Sequence, residues 1–508
     1  MKRTQRTIKN VTVGLFFQFT SMATGFVLRT VMLGALGITA VSINGLFTEV
    51  LAMLALAELG IGSAITYSLY KPLAEKNYLL VGQYMNLYKK AYRCICIAII
   101  VIGASLLPFI QYIIKDVDLD LSYIRFIYSL FVIQSASTYL FSYKTSLIIV
   151  DQKRYIESTV AIITKVVSLI ISIIVLNTTK NYVLYLIFVI IVGLCQNICY
   201  SIIADRMYPC LKEKSKLSKE ETKNTFKNIK NMFIAKLSSK ITNSTDNILI
   251  SAIVSTISVG MYSNYALIIN ACRGIIDQFG FSVSASIGNL VATETTSRVE
   301  YILKCMTYFV FLTGIFIGAC LYVVITDIVT MWLGAEYQLS EVVVFVCMVN
   351  FVLYTMREPL WQVTTLTGLF KENSIISIIA CVANLVISIL IGLKYGMVGV
   401  FLGTTFTFLL QISLKTYFLY TRRFNDKPRK YYLKFYGYFI LAVATMIFSS
   451  WVCSMIQFEN LFISIIIKLC ISFAICVLVG VVPFIKTKEF NYLTQIAKNF
   501  INKKFKKG

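Results

Sequence analysis

Residues 158–204 read STVAIITKVVSLIISIIVLN, then TTKN, then YVLYLIFVIIVGLCQNICYSIIA. Each apolar run has about the 20 residues that a helix needs to cross a bilayer at a rise of about 1.5 Å per residue. Neither run alternates apolar and polar residues over about ten positions, as the strands of a membrane barrel do. The pair therefore reads as two membrane helices joined by a short polar turn. The same yardstick, carried outward, places spans at 11–34, 41–66, 94–114, 122–143, 158–177, 182–204, 231–255, 260–290, 305–326, 341–366, 374–393, 396–419, 435–453 and 461–484, about fourteen in all. Hydrophobic residues make up 57% of the 508 and charged residues 14%, and mean hydropathy is +0.76. A soluble domain of that composition would present a large insoluble surface. The fold class is an all-α polytopic membrane protein.

A net charge of +24 would point to nucleic acid in a soluble protein. Here the lysines and arginines crowd into alternate connections between spans. One set of connections holds 36 of the 48, and the opposite set holds only Lys115, Lys180 and Lys394. By the positive-inside rule both termini are expected in the cytoplasm. Nucleic acid is not an expected partner. The basic residues Lys2, Arg3, Arg6 and Lys9 lead into the first span without a small-residue cleavage pattern, so that span is expected to be retained.

The longest polar stretch, 205–230, follows six spans and reads as a basic cytoplasmic linker. It separates an N-terminal six-helix bundle at 1–204 from a C-terminal one at 231–420, an arrangement compatible with a parallel repeat about an axis along the membrane normal. A further helix pair occupies 421–485. In the tail at 486–508, Phe490, Leu493, Ile496 and Phe500 fall at helical spacing among lysines, so it is expected to lie on the inner leaflet as an amphipathic helix.

Charges inside the spans are the candidates for function. Each costs roughly 2.5–3.5 kcal/mol at mid-membrane on insertion scales, and so persists mainly beside a wet cavity, a partner charge or a polar substrate. Arg29, Arg273 and Arg357 suit an anionic headgroup, because a planar guanidinium makes bidentate bonds to phosphate and stays charged. Glu49 and Glu58 share the second span, nine residues and two and a half turns apart, on roughly opposite faces. Asp246 sits in ITNSTDNILISAIV, among hydroxyls and amides that suit an ion or a sugar. Glu58 and Asp246 are candidates both for substrate and, with Glu49, for ion coupling. Bland alternatives stand beside these: Arg273 can pair with Asp277 four residues on, and Arg357 has Glu358 next to it, ahead of Pro359, which can kink the helix.

Catalysis has little to stand on. The outer connections are short, no histidine exists, and the thirteen cysteines include no CxxC pair, so neither a catalytic group nor a metal site is expected. No GxxxxGK[ST] loop is present, so ATP would have to act through another subunit. No cofactor is expected, and transport would draw on a proton or sodium gradient. The remaining classes are a transporter, a membrane polysaccharide polymerase and a non-catalytic scaffold. A polymerase would need a sizeable outer loop.

The string AELGIGSAITYSLYKPLAEKN at 57–77, followed by MNLYKKAYR at 85–93, resembles the bacterial oligosaccharide flippase family. So do STDNILIS at 244–251, VGMYSNYALII at 259–269, SIGNLVATE at 286–294, MWLG at 331–334 and GVFLGTTF at 399–406, which together cover nearly the whole chain. The resemblance implies the multidrug/oligosaccharidyl-lipid/polysaccharide exporter superfamily, with two six-helix bundles forming a central cavity and two extra C-terminal helices. It implies a multi-pass protein of the bacterial plasma membrane that flips undecaprenyl-diphosphate-linked oligosaccharide, the repeat unit of capsule, O-antigen or another exopolysaccharide, by alternating access. Membrane lipids, a polysaccharide polymerase and glycosyltransferases are the implied partners. Arg29, Glu58 and Asp246 match family positions; the roles of Glu49, Arg273 and Arg357 rest on chemistry alone. The rival within the superfamily is a drug/cation antiporter, whose cavity would favour acids and aromatics over three arginines.

Overall fold

A computed structural model describes residues 3–54, 68, 69, 72, 73, 75–115, 117, 119–140, 142–151, 153–212, 215–218, 220–222, 245–455 and 460–505. These residues are almost all helical, without a strand among them. Ten of the helices are long and apolar enough to cross a membrane, and an eleventh span exists if a pair bent by 43° counts as one. The expected count of fourteen is not reached among the described residues. Part of the difference is physical, because one long helix holds one expected span and the start of the next, and part arises because 55–67 and 223–244 lie outside the described residues. The chain divides into two units, Met1–Ser263 and Asn264–Gly508. The expected linker at 205–230 falls in the first and lies partly outside the described residues.

In the first unit, α1 (Arg3–Leu54) runs through the expected span at 11–34 and on through the first part of that at 41–66, with a break at Gly37, whose φ of +75° lies in the left-handed region. An added Cβ at Gly37 would meet nothing within 4 Å, so it is the backbone angle that calls for glycine. Beyond the break, Ile43, Leu46 and Phe47 are buried, and Phe47 meets Tyr128 and Phe131 edge-on at 5.2 and 5.6 Å. Both rings belong to α3 (Leu121–Thr138), which with α4 (Tyr143–Val150) forms the bent pair. Helix α2 (Tyr78–Leu106) starts well before the expected 94. Its early turns carry Tyr84, Tyr88 and Tyr92, which join Tyr139, Tyr143 and Tyr208 in a buried tyrosine-rich cluster. Helices α5 (Arg154–Thr179) and α6 (Tyr182–Met207) are the pair expected from 158–204. The chain after α6 lies across α2, where Gln83 and Asn86 donate to Ser215 at 3.2 and 3.3 Å.

The first unit is completed by a helical segment at 245–253 and the start of α7 (Thr256–Thr293). This hairpin packs through small polar groups on the chain just beyond α2 and on α1 after the Gly37 break. Ser251 donates to the Ile113 carbonyl at 2.7 Å, Lys115 N–H donates to Thr256 Oγ1 at 2.9 Å, and Thr256 N–H donates back to Lys115 at 3.1 Å. A Cβ on Gly260 would stand 2.0 Å from Ser42 Oγ, so helix backbones approach there as only glycine allows.

The second unit is built on α8 (Thr296–Leu333), whose 38 residues make a rod about 57 Å long. Around it lie α9 (Glu341–Leu366), α12 (Arg429–Ser454) and α13 (Leu461–Gly480). Helices α10 (Phe370–Tyr395) and α11 (Met397–Leu419) form a tight hairpin. The added pair α12 and α13 is fastened to α8: Lys468 pairs with Asp327 at 2.7 Å, Tyr308 donates to the Gly480 carbonyl at 3.1 Å, and Thr307 shares a 2.9 Å hydrogen bond with Tyr431. Helix α14 (Lys488–Phe505) is the expected amphipathic tail, docked by the Lys434–Glu489 ion pair and by Tyr301, which donates to the Lys488 carbonyl at 3.2 Å. Burial pushes the Glu489 carboxyl up, but the hydrogen bond from Lys434 and a backbone N–H outweigh it, leaving its pKa below the ordinary carboxylate value.

Candidate functional site

In the first unit, Arg29 lies in α1 between Thr24 and Thr30 in sequence, whose hydroxyls donate to carbonyls of their own helix. Its Nη1 donates to Ser263 Oγ at 2.9 Å, and Ser263 in turn donates to the Gly260 carbonyl at 2.7 Å. Lys165, in the middle of α5, donates to Ser21 Oγ at 2.5 Å and stands 5.5 Å over the Phe17 ring. Neither cation has a carboxylate within 4 Å among the described residues. A guanidinium has five N–H donors and an ammonium three. Ser263 and Ser21 each occupy one, so most of the donor capacity stays open. Glu49 is half-buried beyond the Gly37 break, and Asp246 is half-buried at the start of the 245–253 segment. Glu58 lies outside the described residues.

In the second unit, the structure gathers Arg273 and Arg357 with residues that spacing did not single out. Tyr354 is the hub. Its hydroxyl donates to both oxygens of Asp277, at 2.9 and 3.1 Å. Its ring faces the Arg273 guanidinium at 4.7 Å and that of Arg357 at 4.8 Å. Arg357 is also 4.4 Å from the Phe408 ring and 5.4 Å from that of Trp361, and Nη1 donates to Gln411 at 3.2 Å. Lys415 is buried, 3.7 Å over the Trp361 ring, with Nζ donating to Asn373 Oδ1 at 2.6 Å.

The bland local pairs do not form. Asp277 is engaged by Tyr354 rather than by Arg273, whose Nε is buried without a hydrogen-bond partner. Glu358 accepts from Gln362 Nε2 at 3.1 Å and makes no ion pair with Arg357 among the described residues. Helix α9 runs through Pro359, which has no N–H to offer the Thr355 carbonyl one turn earlier.

Magnitudes rank the cations. A cation–π contact is worth about 0.5–2 kcal/mol, more when desolvated. Three rings can thus offset most of the roughly 2.5–3.5 kcal/mol for holding Arg357 within the membrane. Arg273 has one ring and an unanswered N–H. It is the cation with most to gain from an incoming anion. Lys165 was the residue to find in sequence, a lysine in the middle of the apolar run AIITKVVSLI; Lys415, in LLQISLKTYFL, sits nearer the end of its run.

Each unit is a bundle of membrane-length helices that carries polar and cationic groups among its packed turns. No family model matches the chain, and no curated protein matches it in sequence. Solved structures do match. A lipid II flippase, MurJ, in an inward closed conformation superposes with a TM-score of 0.68 at 14% identity, over 94% of this chain and 99% of that one. An inward-facing multidrug resistance MATE family transporter of the MOP superfamily gives 0.61 at 14% identity, over 82% and 97%. A mutant of the Vibrio cholerae MATE transporter VcmN gives 0.59 at 12% identity, over 82% and 97%. The chain therefore has the all-helical fold that these flippase and transporter structures share.

Proposed function

We propose that this protein is a flippase for lipid-linked oligosaccharide, moving undecaprenyl-diphosphate-linked repeat units across the bacterial plasma membrane by alternating access. The observation that carries the reading is the set of membrane-embedded cations held by hydroxyls, amides and aromatic faces instead of carboxylates. Charges neutralised by acids would leave nothing for an anion. Arg29, Arg273 and Arg357, with Lys165 and Lys415, keep donors that a diphosphate can take as charge-assisted hydrogen bonds. The fold of the lipid II flippase structure, matched over nearly the full chain, supports a lipid-linked cargo.

The loop charges support a cytoplasmic location for both termini. In that orientation the small polar seam formed by Ser42, Ser251, Thr256 and Gly260 lies toward the outer face and must part for release outside. Hydrogen bonds worth about 0.5–1.5 kcal/mol each, exchangeable with water, suit a contact that opens and closes. Arg29 belongs to the seam through Ser263, so an anion that draws Arg29 away also loosens the latch. Glu49, Glu58 and Asp246 are the acids proposed to couple a proton or sodium gradient. Repeat units of capsule, O-antigen or another exopolysaccharide are the cargo, with glycosyltransferases and a polymerase acting before and after.

The test is translocation of a fluorescent undecaprenyl-diphosphate oligosaccharide in proteoliposomes. Arg273→Ala and Arg29→Ala are expected to slow translocation at least tenfold while inserting normally. Wild-type rates in both variants would refute the anion reading. Export of organic cations, unaffected by these changes, would favour the antiporter.

A further inference from the structure

The first unit carries a second cationic feature that the flippase reading does not use. Between the end of α2 and the start of α3 opens a groove of about 490 Å³, lined by Leu107, Pro108, Ser122, Arg125, Phe126 and Ser129. Arg125 sits one turn inside α3. Its Nε is buried without a hydrogen-bond partner, and no carboxylate among the described residues lies within 4 Å of the guanidinium. The hydroxyl proton of Ser129 is already given to the Arg125 carbonyl at 2.9 Å.

The walls are those of a bilayer interface. Phe126 is 52% exposed, and Phe109 and Tyr112 nearby on the chain are 56% and 71% exposed, as expected of rings at headgroup depth. An arginine left unpaired at that depth calls for an anion from the membrane, and the anion there is a lipid phosphate, which a guanidinium binds bidentately. Asp120, at the N-cap of α3, makes no side-chain capping bond and is exposed. That acid disfavours a headgroup that is only anionic and favours one that also bears an amine.

We propose that this groove binds an aminophospholipid, with its phosphate on Arg125, its ammonium toward Asp120 and an acyl chain along Leu107, Pro108 and Phe126. None of its residues is among those assigned to translocation, and the inference holds whatever the cargo.

The probe is an equimolar mixture of phosphatidylethanolamine and phosphatidylglycerol added to the full chain in mild detergent, with retained lipid read by native mass spectrometry. Wild type is expected to keep the ethanolamine lipid. Arg125→Gln is expected to lose about tenfold in retention, one charge-assisted hydrogen-bond pair, while Arg125→Lys keeps part of it. Asp120→Asn is expected to bind both lipids alike. Ser122→Phe, which fills the mouth of the groove and leaves Arg125 intact, should mimic Arg125→Gln and decides the matter if that variant folds poorly. Unchanged retention in Arg125→Gln and Ser122→Phe, or equal retention of the two lipids by wild type, overturns the proposal.

Discussion

Tyr354→Phe separates two jobs done by one side chain. The ring that faces Arg273 and Arg357 stays, while the hydroxyl that holds both oxygens of Asp277 goes. A hydrogen bond to a charged group is worth about 1.5–3 kcal/mol, an equilibrium factor of roughly ten to a hundred. Once released, the Asp277 carboxylate is four residues from Arg273 on the same helix, where a side-chain ion pair forms readily. The cation would then be neutralised by its own helix. Tyr354→Phe is therefore expected to slow translocation of fluorescent lipid-linked oligosaccharide about tenfold in proteoliposomes. Adding Asp277→Asn should restore most of the rate, because no acid remains to capture Arg273. A mere packing defect would not be rescued in this way. Wild-type transport in Tyr354→Phe, or no recovery in the double variant, would refute the idea that Tyr354 keeps Arg273 free.

Three other outcomes follow from the geometry. Cysteines at Gly45 and Ser263, where a Cβ on Gly45 would stand 3.8 Å from that of Ser263, should crosslink under oxidation and stop transport until reduced; a crosslinked protein that transports would exclude opening at this seam. Gly37→Ala forces a side chain into the left-handed region at a cost of about 1–2 kcal/mol, and should lower the thermal unfolding midpoint in detergent without changing the packing around it. Because the pKa of Glu489 is depressed on docking, the stability that it contributes is complete above the free carboxylate value of about 4.3 and is lost as pH falls through the lower folded value. Protease should accordingly clip α14 faster in that acid window, and Glu489→Gln should show the same susceptibility at pH 7.

Hydropathy located most of the membrane helices, because a span must be apolar over a fixed length whatever it packs against. It separated 11–34 from 41–66 but not the manner of their joining, which depends on one glycine angle. It also missed the early turns of α2, whose tyrosines are buried against protein rather than lipid. The candidate site was less legible. Arg273 and Asp277 have ideal helical spacing, yet Tyr354, 77 residues away, competes for the acid, and no local pattern encodes that. Lys415 lies close enough to the end of its span to read as a side chain reaching for the interface. Its position over Trp361 emerges only from the packing of α9 against α11. The arginines were visible because any guanidinium in an apolar run is costly, but their partners are tertiary.

The length of α8 bears on how motion in the second unit can be watched. A rod of about 57 Å overshoots a hydrocarbon core of about 30 Å, and α12, α13 and α14 are bolted along it by Thr307, Asp327 and Tyr301. Tilting the rod by even a few degrees sweeps its far end, and whatever is clamped there, through several ångströms. The C-terminal helices thus act as the pointer of a lever, and a small fluorophore on α14 would convert the turnover of a buried site into a signal read at the membrane surface.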